Sequence, residues 1–384
     1  MRGLYIHIPF CKSICSYCDF TKRLGDNLIY EKYIDRLIEE IDSYKDELIN
    51  IKTVYIGGGT PNVLPLELLE RLFIKIKPYL DNSIENSIEL NPELITRDLA
   101  KLLNKYKFNR VSLGVETIDP EAIKLLNRHH TKQDIYNSFR YLKDNNISNI
   151  NCDLIFGIPY TDLNTLKNDL DFIIHQEPTH ISCYSLIIEN KTILKHKIDK
   201  GVITPLDDDL ISDMYDYINT KLKSYGYNHY EISNYAITNH ESIHNKIYWT
   251  ENEYVGVGAG ASGFINNTRY DNNKRLKPYF EAFRENTYEL SSLDKKKEFM
   301  MLGLRLIKGV SMIDYKRMFN SSMLDDFKDE INKLLKKNLL EIVDNNIRIP
   351  YDKLFLANIV WEEFVWKRKK EKLSFMKYQI LNII

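Results

Sequence analysis

The sequence predicts an α/β protein: a partial (β/α)6 barrel, followed by a mostly helical C-terminal domain with a winged-helix-like module. Three observations predict it. Short apolar, β-branched runs alternate six times with helical stretches in the first half of the chain. The 384 residues allow two or three domains, or one large α/β barrel with an appendage. Finally, 43% hydrophobic and 28% charged residues, with 15 Gly and 11 Pro, match an ordinary folded protein and exclude disordered, collagen-like and disulfide-scaffold classes.

Strands are expected at 4–8, 53–56, 87–90, 110–113, 149–156 and 180–186, each ending in Gly, Pro or a polar residue. Helices are expected between them at 30–44, 66–79, 96–105, 120–127, 132–144 and 162–175. Six units in succession imply a parallel sheet, and right-handed crossovers curl it into a barrel too short to close as eight units would. From Pro205 the rhythm changes to a helix ending near Tyr225, a strand at 227–232 and the glycine-rich run 255–263. Helices at 311–319 and 325–336 then precede a hairpin at 339–350, whose turn signal is Asn345–Asn346. The domains expected are 1–228 (barrel), 229–277 (connecting region) and 278–384 (helical, winged). The stretch 367–384 is basic, then apolar, and reads as a helix packed on the body.

Lys plus Arg (53) nearly balance Asp plus Glu (54), so no global positive field draws the chain to nucleic acid or to an anionic membrane. No apolar run approaches the roughly 18 residues of a membrane span, and the start has no signal-peptide core, so a cytoplasmic location is expected. Three of the five cysteines fall within eight residues, and an odd count would leave one thiol over in a disulfide framework. Cys152 and Cys183 lie in apolar runs and read as core residues.

Cys11, Cys15 and Cys18 form C-x3-C-x2-C just after the first strand, and three thiolates so close suit a soft inorganic centre such as an iron–sulfur cluster. Structural zinc is the alternative and needs a fourth ligand, for which His7 is the nearby candidate. With these residues, the run Tyr5-Ile-His-Ile-Pro-Phe-Cys11 resembles the radical S-adenosylmethionine (SAM) superfamily. The resemblance is to the branch holding oxygen-independent coproporphyrinogen III oxidase and its heme-chaperone relative, and it spans residue 4 to about 365. It implies a [4Fe–4S] cluster on the three cysteines, whose open iron binds SAM and whose electron cleaves SAM to a 5′-deoxyadenosyl radical.

Strand two ends in Gly57-Gly58-Gly59-Thr60-Pro61, where the missing Cβ atoms let a ligand approach the backbone. Glu89, Glu116 and Asp153 stand at or near the ends of the next three strands, facing the barrel mouth where carboxylates accept hydrogen bonds from ribose hydroxyls. The resemblance carries SAM contact over to Tyr5, Gly58, Gly59, Thr60, Glu89, Glu116, Arg128 and Asp153. Glu116 departs from the glutamine usual at its position and changes what that contact can donate.

Two features separate the branches. The oxidase has a further cysteine where this chain has Phe20, and an extension ahead of the first strand that is not seen here. The chaperone branch carries HNxxYW, matched by His244-Asn-Lys-Ile-Tyr248-Trp249. A heme chaperone is therefore expected, with His244 as heme ligand or anchor and Tyr248 and Trp249 in apolar contact. Its partners would be an electron donor and a heme-accepting protein. The alternatives are radical decarboxylation of coproporphyrinogen, a related radical tetrapyrrole enzyme, and a non-catalytic scaffold.

Overall fold

In the computed structural model, residues 1–365 are described, and the tail expectation for 367–384 lies outside them. The six expected strands form as β1 (Gly3–Ile8), β2 (Thr53–Gly58), β3 (Glu85–Leu90), β4 (Arg110–Glu116), β5 (Asn149–Phe156) and β6 (His180–Ser185), consecutive and parallel. Their helices start where a side chain can satisfy orphan N–H groups: Asp26, Thr96, Asp119, Thr131 and Asp162 each accept from the first turn. One apolar face of each helix packs on the sheet, as with Tyr33, Ile34, Leu37 and Ile41 of Asn27–Ser43.

The sheet is larger than expected. The strands β7 (Asn228–Glu231) and β8 (Asn234–Ala236) extend it antiparallel beyond β6. On the other side β9 (Tyr254–Val257) pairs parallel with β1, and β10 (Ser262–Ile265), β11 (Thr268–Asn272) and β12 (Arg284–Glu289) follow as a meander. The order is β12-β11-β10-β9-β1-β2-β3-β4-β5-β6-β8-β7, open among the described residues. Residues 229–277, expected as a connecting region, hold β8 to β11 together with the helix Ile243–Trp249, and the sheet continues to Glu289. The physical reason is burial: all four residues of β9 are inaccessible, and their backbone groups are satisfied by lying between β1 and β10.

The C-terminal unit packs helices Ser292–Gly303, Met312–Phe319 and Lys328–Lys336 with a three-stranded antiparallel sheet of β13 (Val310–Ser311), β14 (Glu341–Val343) and β15 (Asn346–Arg348). The hairpin turn falls on Asp344–Asn345, both with positive φ (49° and 63°), one residue earlier than expected. Arg305, fully buried, joins this unit to the barrel. Its guanidinium lies 4.3 Å from the Trp249 ring and 4.8 Å from the Trp361 ring, and its charge opposes buried Glu231 on β7. Arg305→Ala would strand the Glu231 carboxylate and empty the space between two indoles. Chemical denaturation should show a loss of about 3 kcal/mol or more; a change below about 1 kcal/mol would contradict this role.

Candidate functional site

The loop after β1 is closed like a clasp. Cys11 N–H donates to Arg23 O (2.9 Å) and Arg23 N–H to Pro9 O (2.7 Å), so the three cysteines are presented on a tethered loop. All three are free thiols and half-buried. Burial pushes the Cys11 thiol up, opposed by a hydrogen bond from Thr60, and pushes Cys18 up to about 12, opposed by Lys22. Such thiols hold their protons until a metal centre takes them.

His7, the candidate fourth zinc ligand, is otherwise engaged. Its Nε2 meets Thr21 O (2.8 Å), which can only accept, so the proton sits on Nε2 and Nδ1 accepts from the Tyr5 hydroxyl (2.9 Å). Among the described residues no three His, Cys, Asp or Glu side chains converge as a single ion requires. Three thiolates without a fourth protein ligand therefore suit an iron–sulfur cluster better than closed structural zinc.

The mouth lies beside this loop. Gly58 has φ 114°, and a Cβ there would stand 2.4 Å from the His7 ring, so a side chain at this turn would dislodge the histidine that pins the loop. A Cβ on Gly59 would come within 2.6 Å of Phe10 O and 3.0 Å of Cys11 Sγ. Thr60 N–H donates to Phe10 O (2.7 Å), closing the GGGTP turn onto the cysteine loop.

Glu89 accepts from the Tyr55 hydroxyl (2.7 Å) and from Gly58 N–H (2.9 Å). Asp153 accepts from Ser112 Oγ (2.9 Å) and Asn151 Nδ2 (2.8 Å). Arg128 lies across Gly114, donating to Gly114 O and to Asn91 Oδ1 (3.3 Å), with Nη1 3.9 Å from Cys15 Sγ. Glu116, at a register shift in β4, holds a left-handed φ of 65°, a strained conformation for glutamate, and has Arg128 and Tyr17 as electrostatic partners. Its carboxylate thus has a cation beside it.

Burial, opposed by the Tyr55 and Gly58 hydrogen bonds, raises Glu89 to about 7. Burial, opposed by Arg128, raises Glu116 to about 7; Asp153 is also raised by burial. These three buried carboxyls, with Arg128 beside Glu116, form an acceptor-rich mouth suited to a ligand with a sulfonium, an ammonium and ribose hydroxyls. The carboxylate could meet Arg128, whose Nε is buried without a partner. The residues therefore fit SAM, with Tyr5 and Tyr55 as aromatic lining below it. Tyr17, Tyr55, Asn91, Ser112 and Asn151 were not singled out from the sequence, and His7 was read only as a zinc ligand. For His7 and Asn151 the signal was available, since they stand two residues from Tyr5 and Asp153 on the same strands and so face the same way.

The HNxxYW residues are elsewhere. Helix Ile243–Trp249 docks at the opposite, N-terminal ends of the strands, where the Glu85 carboxylate accepts from Ile243 N–H (2.9 Å) and His244 N–H (2.8 Å). His244 is 0% exposed, with Nδ1 2.7 Å from Thr53 Oγ1 and Nε2 2.7 Å from the Tyr248 hydroxyl. Burial holds its pKa down at about 3, so the ring is neutral. Both ring nitrogens are taken, Tyr248 and Trp249 are buried, and Trp249 packs on Arg305. The motif is a plug for the barrel floor, and it reaches the mouth through its neighbours. The His244 ring stacks on Tyr55 (5.0 Å between centroids), whose hydroxyl holds Glu89.

Two expectations follow. Glu89→Gln and Asp153→Asn should each weaken SAM binding about tenfold or more in calorimetry, and wild-type affinity should rise as pH increases through about 7, because binding uses the ionised carboxylates. Affinity flat from pH 6 to 8 would contradict it. His244→Ala should cost about 2–4 kcal/mol of stability while leaving the cysteine loop able to hold iron and sulfide, checked by denaturation and by iron analysis.

Comparison with known proteins now adds the wider relation. Residues 5–173 match the radical SAM superfamily, and residues 290–350 match the HemN C-terminal domain. The heme chaperone HemW of Lactococcus lactis is 37% identical over 95% of this chain and 97% of its own length, and that of Bacillus subtilis is 33% identical over 95% and 99%. The solved structure of coproporphyrinogen III oxidase (HemN) from Escherichia coli superposes with a TM-score of 0.82 over 94% of this chain and 89% of that one, at 21% identity, a likeness of fold. Covering nearly the full length of relatives more than 30% identical to it, the chain belongs to the HemW family.

Proposed function

We propose that the protein is a heme chaperone: it binds heme, holds a SAM-liganded [4Fe–4S] cluster, and passes heme to an acceptor protein. The observation that carries this reading is the full-length similarity to HemW combined with Phe20, half-exposed, at the position of the oxidase's additional cysteine. Cys11, Cys15 and Cys18 would hold the cluster, and Gly58, Gly59, Thr60, Glu89, Glu116, Arg128 and Asp153 would hold SAM, with Tyr5 beneath. When bound, this pair supplies one-electron chemistry. The chain's own residues do the rest: Thr60 bonds the Cys11 thiol, His7 fixes the loop, and the buried carboxylates orient the nucleoside.

An electron donor and a heme-accepting protein complete the cycle, in the cytoplasm. No helix among the described residues is long and apolar enough to cross a membrane. The oxidase reading has the shared fold on its side, and coproporphyrinogen turnover distinguishes the two.

The test uses full-length protein reconstituted anaerobically. Four iron and four sulfide per chain are expected in the wild type, and none in the Cys11→Ala, Cys15→Ala, Cys18→Ala triple variant. Heme added to the wild type should be bound and then withdrawn by an apo-heme protein, while coproporphyrinogen with SAM and reductant stays unchanged. Formation of protoporphyrinogen would move the protein to the oxidase branch.

A further inference from the structure

Helix Ile243–Trp249 sits at the N-terminal ends of the strands and the carboxylates of the mouth at the C-terminal ends, and three rings join the two. His244 is gripped at both nitrogens, by Thr53 Oγ1 and by the Tyr248 hydroxyl, each at 2.7 Å. Its ring stacks on that of Tyr55, with 27° between planes and 5.0 Å between centroids, and Tyr55 stacks in turn with Tyr5, at 30° and 6.1 Å. Each tyrosine places its hydroxyl on a part of the mouth. That of Tyr55 donates to Glu89 Oε1 (2.7 Å), and that of Tyr5 donates to His7 Nδ1 (2.9 Å), whose Nε2 holds Thr21 O of the cysteine loop (2.8 Å). The packing has little slack, since a Cβ on Gly3 would stand 3.1 Å from His244 Cε1. A phenol has only two side-chain torsions, so a ring packed against fixed neighbours leaves its hydroxyl one position.

We infer that His244 is a positioning residue for SAM: packed against Tyr55, it fixes the hydroxyl that orients Glu89 at the mouth. The inference deepens the proposed function and rests on its placing of SAM there. Glu89 has two holders, Gly58 N–H on Oε2 (2.9 Å) and the Tyr55 hydroxyl on Oε1, and only the second belongs to a side chain that can turn. Removing the imidazole opens a space beside Tyr55, and a phenol that turns into it leaves the carboxylate. The carboxylate then loses one of the two donors that set its direction, and SAM meets an acceptor that is no longer preorganised. A ring that merely filled the barrel floor would cost stability when removed and leave SAM binding as it was. Ile331 gives the comparison for that case, being buried in the C-terminal helix Lys328–Lys336.

Calorimetric titration of SAM into full-length, anaerobically reconstituted protein, repeated across neutral pH, tests this with Tyr55→Phe, His244→Ala, the double variant and Ile331→Ala. Tyr55→Phe should weaken binding about fivefold at neutral pH and displace its rise to higher pH, because the Tyr55 hydrogen bond favours the ionised form of Glu89. His244→Ala should do the same. The double variant should bind as Tyr55→Phe does, within about twofold, since the second change acts through a hydroxyl already removed. Tyr5, Glu116, Asp153 and Tyr248 also act electrostatically on Glu89 and remain in every variant. Ile331→Ala should lose stability and keep the wild-type affinity and profile. If His244→Ala does not fold, Thr53→Val, which releases Nδ1 and leaves the ring, should move both readouts in the same direction. Wild-type affinity and profile in the His244 or Thr53 variant, or losses that multiply in the double variant, would overturn the inference and leave the SAM site standing. Absence of SAM binding by the wild type would overturn the SAM site as well.

Discussion

The structure depends on keeping Glu89 and Asp153 buried near one another at one end of a parallel sheet. Two such carboxyls repel, and each loses its water. The barrel interior is the compensation. Under Glu89 stand the Tyr55 hydroxyl and then the stacked His244 ring. Under Asp153 runs a longer chain: Asn151 Nδ2 donates to it, Asn151 Oδ1 meets His180 Nδ1 (2.6 Å), His180 Nε2 meets the Tyr230 hydroxyl (2.8 Å), and Tyr230 accepts from Ser242 N–H (3.2 Å). Both columns end on the helix bearing the HNxxYW motif, since Ser242 is its N-cap. Satisfied networks of this kind hold polar side chains in one arrangement, and here that arrangement presents acceptors to the mouth.

This gives the motif a physical role different from the one its composition suggests. A histidine followed by an asparagine and two aromatic residues looks like a metal or heme contact when only its neighbours in sequence are considered. In three dimensions its partners are Tyr248 of the motif itself and Thr53, Tyr55 and Glu85, far away in the chain. Trp249 turns the other way and stacks with Arg305, so one seven-residue helix ties the floor of the barrel to the C-terminal unit.

Much of the fold was legible because the first six β/α units are local patterns with an apolar helix face and, in all but the second, a capping side chain, and the cysteine spacing is local too. The carboxylates at the strand ends followed from period two and the polarity of a parallel sheet. What was not legible depends on distant partners. The β9 run is glycine-rich, and only pairing with β1, some 250 residues away, makes it a strand. The β10–β11 hairpin had a usable signal in Asn266–Asn267, both left-handed, between Ile265 and Thr268, and it went unread beside the more prominent glycines. Whether an imidazole is open or enclosed is likewise set by tertiary packing, which the motif does not encode.

The central claim is that the cysteine loop and the acceptor-rich mouth form one site, so that SAM meets the cluster directly. Electron paramagnetic resonance of the dithionite-reduced protein, with and without SAM, tests this most directly. Addition of SAM should change the g-values of the reduced [4Fe–4S] signal, as expected when an open iron gains ligands. A reduced-cluster spectrum identical with and without saturating SAM would contradict the account.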